Sequence, residues 1–160
     1  MKPTVYIETT IPSLLTAWPN RDLQIAAQQV STREWWETRS RYELYVSEEV
    51  LREAGRGDAE AAAQRLAAIA DCIILPMTAE VEELTTRILA TGLIPPRAIR
   101  DAIHIGVSAV HQVDFLLTWN CRHINNANIQ QRLRRACRAA GFELPVICSP
   151  NGLLGSSPNL

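Results

Sequence analysis

Four oxygen-bearing side chains sit where the apolar patterning of this chain breaks: Glu8, Glu53, Asp101 and Asn120. Glu8 ends the apolar run of TVYIETTIPS, which Pro12 closes. Glu53 borders the apolar face that Val50, Leu51 and Ala54 form in SEEVLREAGRG. Asp101 falls one turn into PPRAIRDAIHIGVSAV and shares a helical face with Ile105 and Ser108, at i+4 and i+7. Asn120 follows VDFLLTW, with the hydroxyl of Thr118 two residues earlier. Converging, these groups offer only hard oxygen donors, a set suited to Mg2+ or Mn2+ and not to zinc. Each also has a plainer reading alone. Glu8 and Asn120 are then turn residues, Glu53 is a solvated helix-end acid, and Asp101 is a first-turn acid stabilised by about 0.3–1 kcal/mol at the helix N-terminus. Glu48 and Glu49 lie nearer their helix start and rank lower as ligands, as dipole partners.

The elements that would bring them together alternate. PTVYIE, YELYVS, CIILPM, VDFLLTW and LPVICSP read as short, apolar strands. Between them lie helical stretches: DLQIAAQQVSTREWWETRSRY with Asp22 as cap and Leu23, Ala26, Ala27, Val30 and Trp35 as its apolar stripe, EEVLREAG capped by Ser47, DAEAAAQRLAAIA, TAEVEELTTRILATG between Thr78 and Gly92, the Pro-led Asp101 helix with a stripe of Ala102, Ile105 and Ala109, and NIQQRLRRACRAAG ending at Gly141. NGLLG reads as a terminal turn. Strands alternating with helices imply an α/β fold with a parallel sheet covered on both faces. Ligands of such sheets bind beyond the carboxyl ends of the strands, where Glu8, Ser47 and Asn120 fall.

With 160 residues, 47% of them apolar and 21% charged, one globular domain is expected and a disordered chain is excluded. No apolar run nears the roughly 18 residues of a membrane span, so the expected location is cytoplasmic. Cys72, Cys121, Cys137 and Cys148 form no C-x-x-C pair, which argues against a zinc knuckle or redox site; the Cys121/His123 pair reads as packing and surface. His104 and His111, seven residues apart, read as surface or packing histidines. Residues 91–160 carry seven arginines against three acids; the bland account of that excess is a solvated helix face, the other is phosphate recognition. Neither G-x-G-x-x-G, a P-loop nor a G-x-S-x-G turn occurs, and Lys2 is the lone lysine, which argues against phosphotransfer chemistry.

VYIETTIPS, VSEEVLREAGRG, RDAIHIGVSAV and VDFLLTWNCRHI, in this order, resemble the PIN-domain ribonucleases and, more narrowly, the VapC-type toxins of toxin–antitoxin pairs. The resemblance implies a PIN-like three-layer α/β/α sandwich with a central, mainly parallel sheet over residues 1–154; the GSSPNL stretch at 155–160 reads from its composition as a loose tail. It implies a metal-dependent endoribonuclease with Glu8, Glu53 and Asp101 as ligands of Mg2+ or Mn2+, Asn120 as the fourth catalytic position, Thr9 and Thr118 as supporting hydroxyls, and Arg100, Arg122 and His123 against the RNA backbone. It further implies a cognate antitoxin and a homodimer, for which Trp18, Trp35 and Trp36 offer an aromatic patch if they are not core. Glu8 stands where the family has Asp, Asn120 removes a charge, and His123 occupies the place of a further family Asp. The alternative implied by these departures is a catalytically impaired PIN-like module that binds RNA or protein.

Overall fold

The computed structural model describes residues 1–155; the tail expected at 155–160 lies, apart from Gly155, outside the described residues. Five strands, β1 (Thr4–Ile7), β2 (Glu43–Ser47), β3 (Ile73–Leu75), β4 (Phe115–Leu117) and β5 (Val146–Cys148), form one sheet in the order β3-β2-β1-β4-β5. Every pairing is parallel. Val5, Tyr6 and Ile7 of the central strand are wholly buried, so both faces of the sheet are covered, and the architecture is a three-layer α/β/α sandwich.

The covering helices are α1 (Thr10–Thr16), α2 (Leu23–Glu37), α3 (Glu48–Ala54), α4 (Ala59–Ala68), α5 (Ala79–Ala90), α6 (Ile99–Val110), α7 (Ala127–Ala139) and the short α8 (Pro150–Leu153). Their starts follow local chemistry: the side chains of Asp22, Ser47, Asp58, Thr78 and Asn126 each accept a first-turn N–H. α6 buries its Ala102, Ile105 and Ala109 stripe, as the periodicity requires. Gly106 lets α5 approach α6 closely: a Cβ there would meet Thr85 Oγ1 at 2.7 Å.

Three expectations change. TTIPS is not a turn closed by proline but the start of α1, because Pro12 occupies the first helical turn, where backbone N–H groups have no intrahelical partner to lose. NGLLG contributes to α8 instead of a bare turn. In α2 the expected stripe reaches the core at Trp35 but not at Leu23 or Val30, which are 86% and 51% exposed, while polar Gln29 and Thr32 are buried. The polar pair is tolerated there because it is bonded, Gln29 to the backbone of Trp18 and Asn20 and Thr32 to the Gln28 carbonyl and the Trp119 indole. Of the three tryptophans near this helix, Trp35 is core, Trp36 is half-buried beneath Arg39, and Trp18 is exposed.

The strand order reverses between β1 and β4, which makes the crevice beyond their carboxyl ends the switch point of the sheet. Glu8 and Thr118 leave the sheet on its two sides, still joined to it by Glu8 N–H on the Leu117 carbonyl and Thr118 N–H on that of Cys148. Among the described residues, no helix is long and apolar enough to cross a membrane.

Candidate functional site

Glu8 is 3% exposed, and its burial is compensated by donors. Its Oε2 accepts from the Thr118 hydroxyl at 2.7 Å and from the Thr10 hydroxyl and N–H at 2.5 and 3.1 Å. Thr10 Oγ1 in turn accepts the Trp119 N–H at 2.9 Å, which ties the exit of β1 to the exit of β4. The sequence assigned Thr9 to Glu8; the structure corrects this. Thr9 donates to Glu53 Oε1 at 2.9 Å and therefore makes no side-chain cap for α1, and Thr10 takes its place beside Glu8.

Glu53 leaves the last turn of α3 and receives a second donor on the same oxygen, His104 Nε2 at 2.5 Å. Of the two readings, surface or packing, His104 takes the second. It is fully buried on α6, and its Nδ1 lies 2.7 Å from the hydroxyl of Tyr6 in β1, which lies 2.7 Å from Ser47 Oγ at the end of β2. One buried chain thus joins Ser47, Tyr6, His104, Glu53 and Thr9 beneath the crevice. Burial by itself pushes His104 down. The Glu53 hydrogen bond and the charges of Glu8, Glu53 and Asp101 outweigh it, so its pKa is raised above the ordinary 6.5. Burial pushes Glu53 up, and the His104 hydrogen bond and charge, the Thr9 hydroxyl and Arg100 bring it below its ordinary 4.5. Tyr6 is held well above the usual phenol range, first by burial and then, against the Ser47 bond, by the charges of Glu8, Glu53 and Glu49.

Asp101 is half-buried in the first turn of α6, near enough for its charge to act on His104. Asn120 spends its side-chain oxygen on the backbone: Oδ1 accepts the His123 N–H at 3.0 Å and the Arg122 N–H at 3.2 Å, so it shapes the turn after β4, as the plain reading of that position had it. Arg100 makes an ion pair with Glu49 at 3.4 Å, whereas Arg122 is exposed and His123 half-buried. Glu49 lies in the first turn of α3, where a dipole partner was expected. It is 2% exposed, with Arg52 at 2.6 Å on its second oxygen. No pattern in SEEVLREAG distinguishes it from exposed Glu48, whereas His104 had a signal, a polar ring inside the apolar run AIHIGV.

The donor set suits a hard cation. Protein donors hold Glu8 and Glu53 by one oxygen each, leaving Glu8 Oε1 and Glu53 Oε2 without a hydrogen bond from the described residues. Anchoring one oxygen and presenting the other is how outer donors orient carboxylate ligands. Among the described residues no three His, Cys, Asp or Glu side chains already form a metal-holding group, so an ion would have to draw these free oxygens together. Glu8 and Glu53 also line one end of a cavity of about 420 Å3, whose other walls include Leu14, Ile25, Gln28 and Trp119.

The all-parallel five-stranded sheet flanked by helices on both faces is consistent with a PIN-like α/β/α sandwich. The chain is similar to one in the crystal structure of VapBC2 from Rickettsia felis bound to a DNA fragment from their promoter, with a TM-score of 0.54 over 91% of this chain and 98% of that one, at 14% identity. That likeness is one of fold. No protein-family model matches the sequence, and no curated protein matches it.

Proposed function

We propose that this protein is a metal-dependent endoribonuclease that hydrolyses RNA phosphodiester bonds, acting as the toxin of a toxin–antitoxin pair. The observation that carries the reading is the anchoring of Glu8: Thr10 and Thr118 grip one oxygen of a buried carboxylate that lines a crevice with Glu53, and the other oxygen accepts no hydrogen bond from the described residues. Glu8 is one methylene longer than the family's Asp, and those two hydroxyls fix one of its oxygens. Glu8, Glu53 and Asp101 would hold Mg2+ or Mn2+. Such an ion supplies Lewis acidity that makes water a better nucleophile and offsets charge on the scissile phosphate. In this reading His104 and Thr9 keep Glu53 ionised and aimed, and exposed Arg122 contacts the RNA backbone together with Arg100 and His123. The fold neighbour comes from a complex named VapBC2, which supports an antitoxin as partner; the homodimer rests on the sequence resemblance alone.

A second reading, an inactive PIN-like module that binds RNA or protein, is favoured by one observation: Asn120 adds no charge and has its oxygen committed to the backbone. Incubation of purified protein with structured and unstructured RNAs in Mg2+, Mn2+ or EDTA separates the two. The nuclease cleaves in either metal and not in EDTA; a protein inert in every condition is the binding module.

A further inference from the structure

The 420 Å3 cavity beside the acids is more than an entrance to them. Its volume lies in the range of small-molecule sites, about 300–1,000 Å3. Leu14 from α1, Ile25 from α2 and Trp119 after β4 give it apolar walls, and all three are half-buried: they keep apolar surface toward the cavity instead of closing on one another. The Trp119 indole is already fixed, its Nε1–H donating to Thr32 Oγ1 at 2.8 Å and its backbone N–H to Thr10. A flat ligand lying on it would therefore bind without first ordering it. Gln28, one turn after Ile25 on the same face of α2, brings an amide that makes no side-chain hydrogen bond to the described residues. An amide carries both a donor and an acceptor, the pair that matches the edge of a nucleobase.

We propose that Leu14, Ile25, Gln28 and Trp119 form a pocket for one unstacked nucleobase of a single-stranded RNA, adjoining the carboxylates of Glu8 and Glu53. The proposal rests on the nuclease reading and sharpens it: paired and stacked bases of a duplex cannot enter, so the substrate is unpaired RNA, and Gln28 is the residue that ranks the bases. Apolar walls and a ring face supply affinity for any base, because every base has a π-face; only the amide distinguishes their edges.

The test uses RNA octamers that differ only in their central base, and one of them as a duplex. Binding is read by fluorescence anisotropy in EDTA and in Ca2+, and cleavage in Mn2+. Two charge-neutral variants address the pocket: Ile25→Trp fills it, and Gln28→Leu removes the amide at nearly constant size. Wild type is expected to bind the single strand more tightly than the duplex. Ile25→Trp should weaken single-strand binding about tenfold, the loss of one stacked base, and Gln28→Leu should change the ranking of the four octamers severalfold without changing the melting temperature. If Ile25→Trp does not fold, the Gln28→Leu ranking decides alone. Variants that bind and cleave every octamer as wild type does would overturn the pocket and leave the nuclease standing. A wild type that prefers no single strand would also overturn it. Binding that depends on both residues without cleavage in Mn2+ would support the pocket and remove the nuclease reading.

Discussion

Replacing His104 with leucine removes both bonds of the buried imidazole while keeping an apolar side chain in its place. The bond lost by the Glu53 carboxylate is charge-assisted, about 1.5–3 kcal/mol, and the Tyr6 bond is about 0.5–1.5 kcal/mol. Glu53 keeps Thr9, and its side chain is 21% exposed, so water recovers part of the first amount. The expected loss is therefore about 2–3 kcal/mol, or roughly 5–10 °C in Tm for a chain of this size. The loss should also depend on pH. Because His104 is raised above 6.5 in the folded protein, its contribution is complete below 6.5 and fades as pH climbs through the raised value. Glu53 is lowered from 4.5, so its contribution is complete above 4.5 and fades as pH falls through the lowered value. Metal-free urea denaturation at pH 6 and pH 9 is the assay, with wild type exceeding His104→Leu by more at pH 6 than at pH 9. A double-mutant cycle with Glu53→Gln should give a coupling above about 1 kcal/mol, as for contacting residues in one network. A loss below 1 kcal/mol that is equal at both pH values would refute the chain from Ser47 to Thr9 as described.

Three further outcomes follow from single contacts. Thr118→Val removes the 2.7 Å donor to Glu8 and should lower Mn2+ affinity about 10–100-fold by calorimetry, as loss of an orienting partner does elsewhere; unchanged affinity would mean Glu8 is not oriented by it. Gly106→Ala places a Cβ 2.7 Å from Thr85 Oγ1 and should destabilise by about 1 kcal/mol after the helix gain of alanine is counted, whereas in a Thr85→Ala background the same change should stabilise; chemical denaturation reads the sign. With a thiol reagent at pH 8, exposed Cys121 should react first, because burial pushes Cys72, Cys137 and Cys148 each up to about 11; mass spectrometry of the singly labelled protein checks the position.

The strands and helix caps were legible because each is encoded locally: Val5, Tyr6 and Ile7 announce a buried strand, and Ser47 and Thr78 stand directly before the helices they cap. The inward face of α2 was not, since Gln29 and Thr32 become buried through bonds to Trp18, Asn20 and Trp119, partners that no helical periodicity reveals. The same holds at the acids. Their positions after β1, in α3 and in α6 follow from punctuation, yet which threonine serves which carboxylate depends on the path of α1, and Pro12 hid that helix. His104 stood in plain view among apolar neighbours; its meaning required knowing that Tyr6 and Glu53 approach it from β1 and α3.

The most direct test of the account is metal-dependent cleavage of single-stranded RNA by wild type and by Asp101→Asn, with circular dichroism confirming that both are folded. The account predicts cleavage by wild type in Mg2+ or Mn2+ and none in EDTA, and a drop of about 100-fold or more in the variant, which loses a carboxylate ligand and its charge at the ion. Cleavage by Asp101→Asn at the wild-type rate, or a wild type inert in both metals, would contradict it.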